Sequence, residues 1–374
     1  MKKGYYIHLE LHKNQAGVRR KIDGQMSVLR RYFDVSEIVV KKEKISVFQG
    51  ILSRLPFGSY AMDYDAAFTQ IDDPAFVYIR HRALDRRYYY FIKRIREKYP
   101  HVKIILEIPT YPYKGELLAS KTMWPFYYKD VFRRRHLKKL VDRIAILTDD
   151  DTIFGIPTLK IHNGIMVDAI APVSLHEDEE VINLIAVSAC LPVHGYERCI
   201  RGLADYYNGA DSGRRIVKFH MVGEGGELDL YKSLVKKYHL EKYVIFYGKK
   251  TGKELDAIYD RADIAMGAFA FYKAGITISS TLKMKEYLAK GLPAVSGCYE
   301  DSFGKDDVDF YLGFANDDST VDIEKVVRFY EDNLKKYGSR EALRDKIRTY
   351  AKEKVDMFVV MKPVVDFITE GNTD

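Results

Sequence analysis

A run of hydroxyl and lysine side chains in the second half of the chain has the chemistry to bind an anion. Residues 279–297 read SSTLKMKEYLAKGLPAVSG, which is a pair of serines and a threonine followed by an amphipathic pattern that ends at a glycine. Ser280 and Thr281 suit an N-cap, and the pattern predicts a helix around 282–290. Lys283 falls in the first turn, where a cation opposes the helix dipole. A bound phosphate would reverse that penalty, so we predict a phosphate site here.

Glu286 extends this pattern toward a nucleotide. It lies three residues after Lys283 and therefore on the same helical face. Its carboxylate could accept hydrogen bonds from ribose hydroxyls while Lys283 contacts the phosphates. An ordinary solvated Lys-Lys-Glu face is the alternative.

Two glycine-containing turns are further places where a ligand could approach the backbone. Gly223 and Gly225 follow the apolar run HMV, and Gly17 and Arg19 lie between the first strand-like run and a helical pattern. Glycine permits tight turns and close approach, but a lone G-x-G-G is a weak signal. An ordinary strand–helix turn and a basic surface patch are the respective alternatives.

A proline-rich loop in the first half has groups that suit a sugar acceptor. In LEIPTYPYKGE, Glu107 stands at the end of a strand-like run, and Tyr111, Tyr113 and Glu116 follow on a loop stiffened by two prolines. Carboxylates would accept hydrogen bonds from hydroxyl groups, and the aromatic rings would stack on a sugar. A loop that only packs through Pro and Tyr is the alternative.

Short apolar runs alternate with helical patterns and must position these residues. This alternation predicts an α/β protein with two doubly wound parallel sheets. We expect domains at 1–170 and 182–345, a linker at 171–181, and a C-terminal helical segment at 346–374. Ligands of such proteins bind at the carboxyl ends of the strands, so we expect a cleft between the domains.

The composition of the chain limits which ligands and which cellular location we expect. The chain of 374 residues has three cysteines without metal-ligand spacing, so we predict no metal site and a cytoplasmic location. No apolar run is long enough to span a membrane. The net charge of +7 suits acidic ligands. We expect no nucleic acid partner, and we expect the basic stretch at 129–143 to contact anionic membrane lipid.

The segments of the second half resemble a known family. Residues 217–297 look like the donor-binding half of retaining GT-B-fold glycosyltransferases of the family 4 type: a strand, a G-x-G turn, V-x-F-x-G, L-x-x-x-Y-x-x-A-D, and an E-Y-x-A-x-G-x-P helix. GVRRKIDGQ and EIPTYPYKGE are similar to segments of bacterial capsule and surface-polysaccharide glycosyltransferases. The resemblance implies two Rossmann-like domains, the first binding the acceptor and the second a nucleotide-sugar donor, with the C-terminal helix crossing back to the first.

The resemblance also implies roles for individual residues. Glu286 would bind the ribose, and Ser280, Thr281 and Lys283 would lie at the diphosphate. Predicted donor residues are further Gly17, Arg19, His194, Gly223, Gly225 and Lys249; predicted catalytic residues are Glu107, Lys273 and Lys283; predicted acceptor residues are Tyr111, Tyr113 and Glu116.

The expected reaction transfers a sugar, with a UDP-sugar favoured, to a glycan or lipid-linked acceptor. Retention at the anomeric carbon and no metal or other cofactor are implied.

The chain departs from the family pattern at the sugar-binding end. The first of two family glutamates, eight residues before Glu286, is replaced by Ile278, and His194 stands near a phosphate-binding lysine position. Lys273 and Lys283 are the cations that could compensate. The missing glutamate leaves open a non-catalytic subunit that binds a partner transferase. A sugar-nucleotide epimerase of similar fold is a further alternative.

Overall fold

The computed structural model describes residues 1–12, 15–55, 58–118, 120–176, 180–209, 214–304 and 306–370. The chain divides into two compact units. Unit 1 contains Met1–Asn163 and Val360–Asp374, and unit 2 contains Gly164–Val359.

The strands and helices alternate along most of the chain. The strands are β1 (Lys3–Leu9), β2 (Asp34–Val40), β3 (Phe76–Arg80), β4 (Lys103–Ile108), β5 (Arg143–Ile146), β6 (Thr152–Ile153), β7 (Ile156–Lys160), β8 (Val181–Val187), β9 (Ile216–Val222), β10 (Val244–Phe246), β11 (Ile264–Met266), β12 (Ile278–Ser279), β13 (Ala294–Ser296), β14 (Tyr299–Glu300) and β15 (Tyr311–Gly313). The helices are α1 (Ala16–Tyr32), α2 (Val47–Leu52), α3 (Tyr64–Thr69), α4 (Arg86–Lys98), α5 (Lys114–Leu118), α6 (Trp124–Arg134), α7 (Tyr196–Asn208), α8 (Leu228–Lys237), α9 (Gly252–Tyr259), α10 (Leu282–Lys290), α11 (Ile323–Tyr337), α12 (Arg340–Lys354), α13 (Met357–Val360) and α14 (Lys362–Thr369).

Unit 1 is built on a sheet in the order β2-β1-β3-β4-β5-β7-β6. Neighbouring strands from β2 to β7 are parallel, and only β6 pairs antiparallel to β7. The central strands β1, β3 and β4 are almost entirely buried, as expected for continuous apolar runs covered on both faces. The predicted parallel α/β architecture is confirmed for this unit.

Unit 2 is built on a parallel sheet in the order β10-β9-β8-β11-β13-β15. A separate parallel pair, β12 and β14, lies outside this sheet. Strands β8, β9 and β11 are neighbours, so the loops that follow them lie side by side at the carboxyl edge of the sheet. Of the predicted donor residues of the second half, His194 follows β8, and Gly223 and Gly225 follow β9.

The end of the chain belongs to unit 1. The Nζ atoms of Lys2 and Lys103 donate to backbone carbonyls of α14, to Ile368 at 2.6 Å and to Phe367 at 2.6 Å. The Arg143 guanidinium also lies over the Phe367 ring. The segment predicted to begin at 346 is divided, because α12 ends at Lys354 within unit 2 and residues from Val360 join unit 1.

Candidate functional site

The N-terminus of α10 forms the centre of the candidate site in unit 2. Thr281 caps this helix, because its Oγ1 accepts a hydrogen bond from the Met284 N–H at 3.4 Å. Gly291 ends the helix in the left-handed conformation, with φ of 81°. The predicted helix and its cap are therefore confirmed. Its first turn contains no acidic side chain, which leaves the positive end of the dipole without a protein counter-charge in that turn.

Lys283 is a half-buried cation at this helix end. Its Nζ donates to the Gly267 carbonyl at 3.1 Å and to the Tyr196 hydroxyl at 3.3 Å. In the part of the chain that the structure describes, no carboxylate lies within ion-pair distance of it. Burial lowers the pKa of Lys283 from 10.5 to about 8. A lysine in this state gains most from an anionic ligand, which would restore its preference for the charged form.

The two neighbouring lysines have carboxylate partners instead. The Lys285 Nζ lies 2.7 Å from Asp301 Oδ1, and its side chain is fully buried. The Lys273 Nζ lies 2.6 Å from Glu197 Oε1. Burial alone would lower the pKa of Lys273, but the hydrogen bond and charge of Glu197 outweigh it and raise the pKa. Of these three lysines, Lys283 is the one whose charge a ligand would have to balance, and a catalytic role of Lys273 stays a prediction.

Ser280, also predicted at the phosphates, is directed toward the same acidic residue. Its hydroxyl donates to the Asp301 carboxylate, which also pairs with Lys285. Asp301 thus fixes the loop before α10 to the helix itself. Contact of Ser280 with a ligand stays a prediction.

The glycine turn after β9 packs against the loop after β8. Gly223 and Gly225 have φ of 131° and 155°, which side chains rarely permit. A Cβ atom at Gly223 would lie 1.7 Å from the Ser188 carbonyl oxygen, and one at Gly225 would lie 1.8 Å from that of Ala189. Close approach to a neighbouring loop therefore already requires both glycines, and donor contact would be an additional role.

Lys249 lies beside this turn on the exposed surface. The Gly223 N–H donates to the carbonyl of Gly248, the second residue after β10, at 2.8 Å, which places the loop after β10 next to the glycine turn. Lys249 itself is exposed. The turn and the lysine are therefore neighbours, and donor contact of Lys249 stays a prediction.

His194 and Glu286 both lie near Lys283 but differ in what they can offer a ligand. Burial and the Lys283 charge lower the pKa of His194 to about 3, so its ring is neutral. The His194 Nδ1 accepts a hydrogen bond from the Leu191 N–H at 2.9 Å. Glu286 is half-buried and accepts a hydrogen bond from the Tyr259 hydroxyl at 3.3 Å. His194 therefore offers no charge to a phosphate, whereas Glu286 keeps acceptor capacity for a hydroxyl group.

Glu300 is a buried carboxyl near this helix that sequence reasoning missed. It is 1% exposed and stands opposite Ser279 in the pairing of β12 with β14. Its Oε1 accepts from the Ser296 hydroxyl at 3.2 Å. Burial raises the pKa of Glu300 to about 7, and the charges of Lys285 and Lys283 oppose that rise. The burial depends on a long-range strand pairing, for which the sequence contains no local signal.

Ile278, where the resemblance leads one to expect a glutamate, is on β12. Its side chain is 59% exposed. An apolar side chain there offers no hydrogen bond to a sugar.

Glu107 in unit 1 is fully buried between two cations. Its Oε1 lies 2.9 Å from Lys21 Nζ and 2.9 Å from an Arg80 guanidinium nitrogen. Burial alone would raise the pKa of Glu107, but Lys21 and Arg80 outweigh it and lower the pKa to about 2. This network stabilises the contact of α1 with the sheet. A catalytic role of Glu107 stays a prediction and would require these cations to be displaced.

The predicted acceptor residues of unit 1 differ in accessibility. Tyr113 is buried, and its hydroxyl donates to Asp130 Oδ2 at 2.8 Å, which links its loop to α6. Tyr111 is half-buried and packs edge-on against Tyr113 and Phe154. Glu116 lies on α5, and its side chain falls outside the described residues. Of the two tyrosines, Tyr111 is the more accessible to an acceptor.

Arg19 and Gly17 also belong to unit 1. Arg19 pairs with Glu37 and with Asp23, each at 2.6 Å. The hydrogen bonds that Arg19 donates to these carboxylates raise the pKa of Arg19 well above its ordinary value. Gly17 lies in the first turn of α1. Donor contacts of both residues stay predictions, and Arg19 would first have to leave its carboxylate partners.

A pocket of about 530 Å³ opens at the carboxyl edge of the unit 1 sheet. It lies where β1, β2 and β3 end, and the Arg82 guanidinium stacks on the Tyr60 ring at 3.3 Å from the ring centre. Arg82 makes no ion pair with any residue that the structure describes. The lining residues are Leu9, Glu10, Leu11, His12, Lys42, Tyr60, Ala61, Met62 and Arg82. No motif of the sequence marked this pocket, because its residues come from four separate segments.

Neither a membrane-spanning helix nor a cluster of metal ligands is present among the described residues. None of the helices in the described ranges is both long and apolar enough to cross a bilayer. In the same ranges, no three His, Cys, Asp or Glu side chains come close enough together to hold a metal ion.

Comparison with known proteins identifies the fold. No protein-family model and no curated protein matches the sequence. Among solved structures, a glycosyltransferase from Rickettsia africae is 10% identical with a TM-score of 0.60, over 98% of this chain and 97% of that one. Anabaena HepE in complex with UDP is 11% identical with a TM-score of 0.60, over 99% and 100% of the two chains.

A third similar structure is sucrose-phosphate synthase from Thermosynechococcus elongatus. It is 12% identical with a TM-score of 0.57, over 98% of each chain. At these identities the likeness is one of fold. The predicted fold class is therefore confirmed: the chain has the two parallel α/β units of GT-B glycosyltransferases.

Proposed function

We propose that this protein is a glycosyltransferase that uses a nucleotide-diphosphate sugar. The observation that carries the proposal is Lys283, a half-buried lysine with no described carboxylate partner at the N-terminus of α10. Its Nζ contacts the Gly267 carbonyl, just after β11, and the Tyr196 hydroxyl, at the start of α7. The GT-B fold supports the proposal, as do solved structures of the similar Anabaena HepE with UDP and with UDP-glucose.

The chemistry of sugar transfer explains this arrangement. Departure of a nucleoside diphosphate builds negative charge on the phosphate oxygens. The Lys283 ammonium and the first N–H groups of α10 would stabilise that charge in the transition state. Glu286 would bind the ribose hydroxyls from the next turn of the same helix. Retention at the anomeric carbon and independence of metal ions are further parts of the proposal.

The pocket at Tyr60 and Arg82 is the proposed acceptor site. The carboxylate of Glu10 would accept hydrogen bonds from sugar hydroxyls. Arg82 and Lys42 would add cations for an acceptor that contains a phosphate. Tyr111 and Glu116 remain predicted acceptor contacts. A glycan or a lipid-linked oligosaccharide is the proposed acceptor class, and surface-polysaccharide synthesis in a bacterial cytoplasm is the proposed context.

Release of nucleoside diphosphate from a panel of nucleotide sugars tests the proposal. UDP-, GDP-, ADP- and dTDP-sugars would be incubated with the protein, with and without glycan acceptors, and the product separated by chromatography. We expect one base to be used. Release should be lost in Lys283→Ala and retained in Lys232→Ala, which removes an exposed lysine of α8. Release from no donor, with or without acceptors, would contradict the proposal.

A non-catalytic GT-B subunit is a second candidate function. The observation that favours it is Ile278, which is exposed at the position of a family glutamate and offers no hydrogen bond. Nucleotide binding without any transfer or hydrolysis would support this alternative. Conversion of the donor sugar without acceptor, followed by sugar analysis, would instead reveal an epimerase.

A further inference from the structure

Helix α2 of unit 1 presents apolar side chains to solvent. The exposed fractions are 83% for Val47, 68% for Phe48 and 55% for Ile51, and no residue of the helix is buried. Leu55, just after the helix, is 51% exposed. A folded monomer gains nothing from large apolar groups in water, so a continuous group of them indicates a contact surface.

Helix α6 presents a second apolar stripe. Trp124, Tyr128 and Phe132 are spaced by four residues and so follow one face, with exposed fractions of 43%, 61% and 59%. Val131, adjacent to this stripe, is 37% exposed. Phe132 and Val131 of this group lie within the predicted basic stretch at 129–143.

The two helices are joined into one surface. Lys129 on α6 is buried, and its Nζ donates to the Ser53 carbonyl at 2.6 Å and to the Gly58 carbonyl at 3.0 Å. Ser53 directly follows α2. Phe126 on α6 also stacks on Tyr60, with ring centres 3.8 Å apart. The α2–α6 surface is defined here as Val47, Phe48, Ile51, Leu55, Trp124, Tyr128, Val131 and Phe132.

Cations surround this surface, and exposed carboxylates are missing from both segments. Residues 44–55 contain Lys44 and Arg54 and no acidic residue. Residues 120–139 contain one acidic residue, Asp130, which is fully buried and bonded to Tyr113. The cations of the second segment with at least partial exposure are Lys121, Arg133, Arg134, Arg135, Lys138 and Lys139. An apolar surface rimmed by one sign of charge complements an anionic partner.

We propose that the α2–α6 surface docks on an anionic lipid bilayer. The aromatic and aliphatic side chains would enter the boundary between headgroups and acyl chains, and the surrounding cations would pair with lipid phosphates. Trp and Tyr suit this boundary because their rings combine an apolar body with a polar group. The charge pattern favours lipid over a second copy of the chain, whose own cations would be brought together across an isologous contact.

The surface adjoins the proposed acceptor pocket. Tyr60 lines that pocket and stacks on Phe126 of α6. Docking would therefore bring the pocket close to the membrane plane. The docking proposal itself rests on exposure and charge in unit 1 and holds whether or not the protein transfers sugars.

The single tryptophan makes a direct test possible. Trp124 is the only Trp of the chain and belongs to the surface. The full-length protein would be titrated with vesicles of phosphatidylcholine alone and with vesicles containing 30% phosphatidylglycerol. We expect a blue shift of Trp124 emission and quenching by brominated acyl chains only with the anionic vesicles, and at least a tenfold loss of binding at high salt.

Variants locate the contact. Phe48→Glu and Phe132→Glu are each expected to weaken vesicle binding at least tenfold. Leu230→Glu, which changes a similarly exposed apolar residue on α8 of unit 2, is the matched control and is expected to leave binding unchanged. All three replace exposed side chains, and circular dichroism would verify folding.

Three results would overturn the proposal. The first is no blue shift with anionic vesicles, and the second is equal binding by Phe48→Glu and the wild type. The third is lipid-independent self-association that Phe48→Glu abolishes, which would assign the surface to a second copy. Nucleotide binding measured on the same variants keeps these results separate from the fate of the glycosyltransferase proposal.

Discussion

Replacement of Lys283 by alanine should weaken binding of the nucleoside diphosphate by a calculable amount. In the free protein the ammonium bonds only to the Gly267 carbonyl and the Tyr196 hydroxyl among described partners. A charge-assisted hydrogen bond contributes about 1.5–3 kcal/mol, and every 1.4 kcal/mol is tenfold, so the dissociation constant should rise roughly 10- to 150-fold. The loss should be similar for UDP and UDP-sugar, since both carry the diphosphate.

The lowered pKa gives the same lysine a second signature. Lys283 has a pKa of about 8 without ligand, and a bound diphosphate must raise that pKa. Below pH 8 the lysine is charged in both states, so its protonation does not affect affinity. Above pH 8 binding must take up a proton, and by linkage affinity should fall by about tenfold between pH 7 and pH 9.

Isothermal titration calorimetry measures both effects. Titrations at pH 8 in buffers of different ionisation enthalpy should show uptake of about half a proton by the wild type and none by Lys283→Ala. Glu300 titrates with a pKa of about 7, so Glu300→Gln serves as the control that isolates the lysine. Equal affinity of wild type and Lys283→Ala, together with no proton uptake, would refute the placement of the diphosphate at α10.

Four further outcomes are expected. Glu286→Ala should lose the preference for UDP over 2′-deoxy-UDP, measured by competition binding; an unchanged preference would remove the ribose contact. Gly223→Ala should lower the free energy of unfolding, measured by denaturant titration, by at least about 2 kcal/mol, because its Cβ would meet a carbonyl oxygen. Gly226→Ala is the control and should leave that free energy nearly unchanged, because a Cβ there would have nothing within 4 Å. Glu107→Gln should cost about 3–5 kcal/mol of unfolding free energy at pH 7. Because the folded pKa of Glu107 is about 2, its stabilisation is present above about pH 4.5 and lost below it, so the gap between Glu107→Gln and wild type should narrow as pH falls. The pKa of Glu300 shifts in the opposite direction, to about 7 in the folded protein, so the free energy of unfolding of the wild type should decrease between about pH 4.5 and 7. Glu300→Gln should remove that decrease. The same pH dependence of unfolding free energy in both proteins would contradict the burial of Glu300.

Local sequence signals were sufficient for the architecture and for α10. The strand–helix alternation led to two parallel α/β units, and both are present. The threonine cap, the amphipathic pattern and the terminal glycine bounded α10 at Leu282–Lys290, as the structure has it. These features depend on neighbours within a few residues, which is why a single sequence reveals them.

Long-range partners decide the state of the site residues and could not be predicted. Lys273 and Lys283 are equally basic in the sequence, but Glu197, 76 residues from Lys273, pairs with Lys273 and not with Lys283 in the part of the chain that the structure describes. The position of Glu107 at the end of a strand suggests an accessible carboxylate. In the fold it is fully buried and pairs with Lys21 and Arg80 from two other elements. Whether a charged side chain is free to bind a ligand or has a structural role thus depends on ion-pair partners that are far away in the sequence.

The solvent exposure of individual side chains also could not be predicted from the sequence. Val47, Phe48 and Ile51 have the composition of core residues, and only the fold shows that α2 leaves them in solvent. The reverse holds for Tyr113, predicted at the acceptor, whose hydroxyl is bonded to Asp130 in the interior. An apolar pattern predicts a helix or a strand, but the packing of the other elements determines which face of it is covered.

Thermal unfolding with a panel of nucleotides tests the central claim most directly. UDP, GDP, ADP, dTDP and CMP would each be added to the wild type and to Lys283→Ala. A ligand at 100 times its dissociation constant adds about 2.7 kcal/mol, which corresponds to roughly 5–10 °C for a domain of about 200 residues. The account predicts such a shift with one nucleoside diphosphate in the wild type and a much smaller one in Lys283→Ala. No shift with any of the five, or an equal shift in both proteins, would contradict it.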